Sequence, residues 1–239
     1  MDFSILTEDG LQMLLAWVHF LAGVMWIGLL YYFNVVQVPF MAEAPAEAKP
    51  GVTRMLLPRA LWWFRWGAMF TLLTGLAIIG VWMHEYGPEF MMSSRGVGIS
   101  LGALLGIIMF LNVWLVIWPK QKVVIASANA VANGGQADPA AAGAAARAFM
   151  ASRTNFLFSI PLLFFMGNHR ITFFSGNAEG GKVGMALGIC TAIILLVEAN
   201  ALMGTKGKGP AKMLDKHIAV LHVGLLLAVV FYFVVDGLL

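Results

Sequence analysis

The chain has 239 residues, 60% hydrophobic and 11% charged, with a formal net charge of +3 and a mean hydropathy of +0.84. Soluble domains carry about 25% charged residues, so this composition describes an integral membrane protein, and its length suits one packed unit, residues 1–239. A single cysteine excludes a disulfide framework, a thiolate metal site and a four-cysteine iron–sulfur cluster, and the basic residues, scattered over loops, carry no nucleic-acid signal.

The amino terminus, MDFSILTEDG, is acidic where a signal peptide is basic, and the apolar run behind it is too long for a leader. A spanning helix needs about 20 mostly apolar residues. Six stretches qualify: 11–36, 61–83, 97–118, 156–174, 183–203 and 214–235. The expected fold is therefore all-α, a bundle of about six transmembrane helices. Pro161 falls within the fourth and shortest span, where a kink is expected.

Lysine and arginine orient the bundle. The side holding both termini carries Arg95, Arg170 and Lys182; the other carries the remaining basic residues, a total of twelve. This asymmetry predicts both termini at the periplasm or cell exterior of a bacterial inner membrane. The loop 119–154 then lies in the cytoplasm. It is alanine-rich, turns at NGGQ (133–136), and offers Asp138 as an N-cap with Pro139 at the first helical position. A helical hairpin is expected, its second arm (140–152) running into the fourth helix, with a packing or docking role. Gly98, Gly102 and Gly106 begin the third span and Gly180, Gly184 and Gly188 the fifth, a spacing that sets small residues on one face for close helix contact.

Candidate chemistry rests on the histidines, because an ionisable group inside a bilayer is costly and needs a partner. At about 1.5 Å per residue, His19 lies roughly 12 Å and His169 roughly 8 Å below the outer membrane edge, with His84 at the outer end of the second span. His222 lies roughly 12 Å from the inner edge and His217 near that edge. A b-type haem between helices needs two imidazoles at similar depth. His19 with His169 fits best as the iron ligands; His84 could replace either or meet a propionate, and His222 is the next candidate. Each could instead be a structural or interfacial histidine. In the inner half, Glu198 and Arg65 sit at similar depth. They are expected to form an ion pair, or with His222 a proton relay or polar substrate site, and they are the candidates for a catalytic role. Trp17 and Trp26 flank His19, where they pack or line a cofactor; the other tryptophans mark membrane interfaces. No P-loop, nucleophile elbow, H-E-x-x-H or C-x-x-C-H is present.

Two stretches carry a resemblance. WVHFLAGVMWIGLLYYFN (17–34) and PRALWWFRWGAMFTLLTGL (58–76) resemble the membrane domain of bacterial PuuD-type cytochrome-c-linked urate oxidases. The second is also distantly similar to HemJ/CopD-like membrane proteins, in which a first-helix histidine at the place of His19 is implicated in haem binding. The likeness extends through NHR (168–170) to the sixth span. It implies an oxidoreductase of the urate-oxidase kind that passes electrons to a c-type cytochrome. In that family a cytochrome domain follows the membrane domain, whereas this chain ends at Leu239, so a separate periplasmic cytochrome is the expected partner. The competing expectation is a non-catalytic accessory subunit of a larger respiratory or photosynthetic membrane complex, its glycine faces and hairpin serving as docking surfaces. A transporter is disfavoured, as no inverted repeat with broken helices is evident.

Overall fold

A computed structural model describes residues 7–167 and 180–239. Among them six helices are long and apolar enough to cross a membrane: α1 (Glu8–Glu43), α2 (Ala48–Tyr86), α3 (Ser94–Ala132), α4 (Ala141–Gly167), α5 (Gly180–Met203) and α6 (His217–Leu238). Short 3-10 turns at Pro88–Met92 and Gly209–Asp215 precede α3 and α6. The protein is thus a multi-pass membrane protein, all-helical among the described residues. The first, second, third and fifth expected spans each lie inside one helix, whereas the sixth starts in the 3-10 turn, three residues before α6. Residues 168–174 of the fourth expected span lie outside the described residues.

Local chemistry sets the helix ends. Thr7 caps α1 by accepting from the Gly10 amide at 3.2 Å, with Glu8 and Asp9 in the first turn, where the helix dipole favours negative charge. Ser93 caps α3 by accepting from the Gly96 amide at 3.0 Å. Gly87 ends α2 in the left-handed region, at φ 78°. Arg147 of α4 donates to the carbonyls of Ala201 at 2.6 Å and Gly204 at 3.3 Å, closing the end of α5.

The helices outrun the spans. α1 has 36 residues and α2 and α3 have 39 each, whereas about 20 suffice for the bilayer. The hairpin expected at 119–154 is built from these extensions: its first arm continues α3 to Ala132 and its second begins α4 at Ala141. Asp138 joins them, receiving the Ala140 amide on its carboxylate at 2.8 Å and donating its own amide to Ser127 Oγ at 2.9 Å. Pro161 is buried within α4 and does not end it.

α4 is the core helix. In its most apolar window 67% of residues are buried, against 11% in α1 and 22% in α5, although its mean hydropathy of 1.3 is the lowest of the six. Residues 153–159 are buried without interruption. α1 meets α2 at Gly67, where a Cβ would lie 3.0 Å from the Trp26 amide nitrogen and 3.2 Å from the Ala22 carbonyl oxygen, so only glycine permits that approach. The glycines of α3 and α5 divide. Gly98 and Gly102 are buried in α3, Gly102 against Met166, whereas Gly184 and Gly188 of α5 lie on the exposed surface.

Three π-helical turns interrupt the ladder: Tyr32–Gln37 in α1, Val52–Leu56 in α2 and Asn112–Ile117 in α3. Such a turn shifts the i→i−4 pairing and frees backbone groups for other partners. Asn34 lies in the first. Its carbonyl accepts from Arg153 Nη1 at 3.0 Å, and its Nδ2 donates to the Leu30 carbonyl at 2.8 Å and to Ser152 Oγ at 3.0 Å. Arg153 is 1% exposed and lies over the Phe149 ring.

Candidate functional site: a histidine cavity between four helices

His19 lines a cavity of about 490 Å³ between α1, α2, α3 and α4. Small-molecule sites occupy about 300–1,000 Å³ and are mostly apolar with few polar groups, a description this cavity meets. Trp26, Ile79, Ile99, Leu162 and Met166 supply much of the wall. Gly23, Gly75, Gly106 and Gly167 also line it; a Cβ at Gly23 or Gly167 would meet nothing within 4 Å. The cavity is therefore mostly apolar, with space over Gly23 and Gly167 and one imidazole among its lining residues.

Thr74 contacts that imidazole. Its Oγ1 donates to the Phe70 carbonyl at 2.6 Å and lies 3.0 Å from His19 Nδ1. The Thr71 carbonyl also lies within reach of this hydroxyl, at 3.2 Å, so its one hydrogen has several acceptors around it and the contact with His19 serves either ring tautomer. With the hydrogen on a backbone carbonyl, Nδ1 would donate to Oγ1, the arrangement of a metal-ligating imidazole with Thr74 in the supporting position. Gly75 leaves the ring its space, since a Cβ there would lie 3.0 Å from His19 Cε1.

The residues present would suit a haem: the His19 imidazole with Thr74 beside it, apolar walls, and the Met166 thioether on the α4 wall. Arg95 adds a cation, 5.2 Å from the centroid of Trp82, which also lines the cavity. Among the described residues no group of three His, Cys, Asp or Glu side chains could hold a bare metal ion.

The other sequence candidates scatter. His169 lies outside the described residues. His84 is exposed near the C-terminal end of α2, and His222 is exposed on the surface of α6; neither lines the cavity. Trp26 is buried at its wall, whereas Trp17 is 54% exposed and turned outward. Glu198 and Arg65 do not pair. Arg65 lies 4.0 Å over the Trp118 ring, and Glu198 accepts from Asn112 Nδ2 at 2.9 Å. The second hydrogen of Asn112 Nδ2 serves Asn155 Oδ1, also at 2.9 Å, and Asn155 Nδ2 donates to the Met109 carbonyl at 2.9 Å. A neutral amide chain thus holds the carboxylate where a cation was expected. An arginine stacked on tryptophan needs no carboxylate for company.

Thr74, Met166, Asn112 and Asn155 were not apparent as site residues in the sequence. Neutral residues within apolar runs carry no cost signal. Only TLLTG (71–75), with two hydroxyls and a glycine at helical spacing from one another, hinted at a polar face on α2.

Neither curated proteins nor solved structures give a match. The sequence profile described as urate oxidase N-terminal matches residues 79–232, which span the end of α2 and all of α3–α5 with most of α6. His19 and Thr74 precede the matched stretch, while Ile99, Leu162 and Met166 of the cavity wall fall within it. With well over half of its length matched, the chain belongs to the family of urate oxidase N-terminal membrane domains.

Proposed function

We propose that the protein is an inner-membrane redox protein of the urate-oxidase kind that binds b-type haem in the four-helix cavity and delivers electrons to a periplasmic c-type cytochrome. The observation that carries this reading is the His19–Thr74 contact at an apolar cavity between four helices. Haem, when bound, supplies a one-electron relay. His19 would hold the iron through Nε2, and Thr74 would keep the ring from rotating. Met166 would be a second residue to hold the group, and His169, the partner expected from the sequence, lies outside the described residues. The apolar walls exclude water, which controls the potential of such a centre. Arg95, stacked on Trp82, brings a positive charge for a propionate.

The twelve basic residues on one side of the bundle support both termini outside. The His19 cavity then lies toward the outer face, where a periplasmic acceptor could collect the electron. Reporter fusions at each terminus test that orientation. The redox reading is tested by a reduced-minus-oxidised spectrum of the purified protein. A haem α-band that disappears in His19→Ala is expected; no α-band and no haem by pyridine extraction would overturn it.

One observation favours a second reading, an accessory subunit of a larger respiratory or photosynthetic complex. Gly184 and Gly188 leave a small-residue stripe exposed on α5, suited to a neighbouring helix. Co-purification with a large membrane complex, without cofactor in this chain, would favour that reading.

A further inference from the structure

A second cavity, of about 330 Å³, lies between α1, α2, α3 and α4 and shares no lining residue with the His19 cavity. Its depth is informative. Phe33, Leu61 and Ile117 of its lining fall inside the apolar stretches 11–36, 61–83 and 97–118, whereas Gln37, Leu57 and Gln121 fall just outside them. The cavity therefore straddles the edge of the hydrocarbon, the depth at which lipid headgroups sit. It does so on the side that carries twelve of the lysines and arginines.

The lining specifies what it accepts. Among the described residues no aspartate or glutamate lines the cavity, but Lys206 does, with its Nζ 4.1 Å from the centroid of Phe149. Ser152 Oγ accepts from Asn34 Nδ2 at 3.0 Å and keeps its own hydrogen to give to a ligand. Both groups suit an anion. Gln37 and Gln121 ask for the reverse, because the Oε1 atom of each is buried without a hydrogen-bond partner. Two buried amide oxygens without donors are costly, and two hydroxyl groups would satisfy both. The cavity thus calls for one negative charge and two hydroxyls on one small group. Its volume is at the small end of small-molecule sites, about 300–1,000 Å³, which admits a headgroup and leaves acyl chains outside. At the same depth Val36 of α1 and Leu115 of α3 are exposed, an apolar surface for such chains.

We propose that this cavity seats the headgroup of phosphatidylglycerol, with Gln37 and Gln121 accepting from its two glycerol hydroxyls and Lys206 and Ser152 meeting its phosphate. Basic pockets between membrane helices take anionic headgroups by the same electrostatics. The site uses none of the residues assigned to the haem and stands independently of the redox reading.

Native mass spectrometry of the delipidated full chain, with single lipids added back, tests it. One phosphatidylglycerol retained per chain is expected, with no retention of phosphatidylethanolamine. Phosphatidic acid keeps the phosphate without the hydroxyls and should bind at least about tenfold more weakly, the scale of one lost hydrogen bond. Soluble glycerol phosphate has the polar groups without the chains and should not displace the lipid at equal concentration. Gln37→Leu and Gln121→Leu should each weaken phosphatidylglycerol by about tenfold and leave phosphatidic acid unchanged. Lys206 is exposed, so Lys206→Glu spares the packing and should abolish retention. Lys212→Glu makes the same charge change at an exposed residue outside the lining and should retain the lipid. If a leucine variant does not remain monodisperse, the two lysine variants and the lipid series carry the test. Equal retention of phosphatidylethanolamine or phosphatidic acid, displacement by glycerol phosphate, or equal loss in both lysine variants would overturn the proposal.

Discussion

Thr74 Oγ1 lies 3.0 Å from His19 Nδ1 and 2.6 Å from the Phe70 carbonyl oxygen. One hydroxyl on α2 therefore ties an α1 imidazole to the α2 backbone. Thr74→Val keeps the shape of the side chain and removes the acceptor. Haem occupancy of the purified variant, read by pyridine extraction, is expected to fall by about 10-fold to 100-fold, the loss typical of a missing supporting contact to a metal ligand. Thr74→Ser should retain it. Wild-type occupancy in the valine variant would show that the hydroxyl does not position the ring.

Gly67 and Gly23 make opposite predictions. A Cβ at Gly67 meets backbone atoms of Trp26 and Ala22 at 3.0 and 3.2 Å. Backbones cannot step aside as side chains do, so Gly67→Val should force α1 and α2 apart and cost about 1–3 kcal/mol. Thermal melting in detergent measures it. At Gly23 a Cβ meets nothing within 4 Å. Gly23→Leu should melt near wild type and lower haem occupancy by filling the slot. A melting loss at Gly23 equal to that at Gly67 would contradict this assignment of the open space.

Asn112 is the shown donor to Glu198. Asn112→Leu strands a buried carboxylate and the Asn155 carbonyl oxygen together, with an expected loss of about 1–3 kcal/mol in thermal or denaturant unfolding. The double variant Asn112→Leu, Glu198→Leu should recover part of that loss, because the carboxylate is removed along with its donor. A double variant less stable than the single one would mean that Glu198 has further support.

The span positions were legible because hydropathy reports length and apolarity, and both survive folding. What hydropathy reports less well is azimuth. His222 has the depth of a functional group, yet it is exposed on α6, because depth along a helix does not say which way a side chain points. His19 sits at equivalent depth and lines a cavity, and only the packing of α2 against α1 separates the two cases. The lengths of α1–α3 were missed for a related reason. The apolar run ends at the membrane edge, but the residues behind it, such as VVIASANAVA (123–132), are compatible with a helix, so the helix continues. Glu198 was expected beside Arg65 because charge is the only polar signal that stands out in an apolar chain; the asparagines that hold it are neutral.

Arg153 answers the Asn34 carbonyl that the π turn of α1 makes available. Arg153→Met keeps most of the side-chain volume and removes the donor. A loss of about 2 kcal/mol is expected, within the range for a hydrogen bond from a charged group, and thermal melting in detergent checks it. If Arg153→Met melts with the wild type, the freed carbonyl is satisfied by some other group.

The enclosure of α4 bears on how the chain is assembled. With a mean hydropathy of 1.3, the lowest of the six, and with the buried Arg153 near the start of that apolar stretch, α4 has little drive to enter lipid alone, since a charged residue within a span opposes insertion. Its polar groups find their partners on α1 and α3, at Asn34, Asn112 and Met109, and on the end of α5. During synthesis α4 emerges after the first two and before the last. It is therefore expected to wait at the translocation channel until earlier helices have gathered, and to enter the bilayer against protein rather than against lipid.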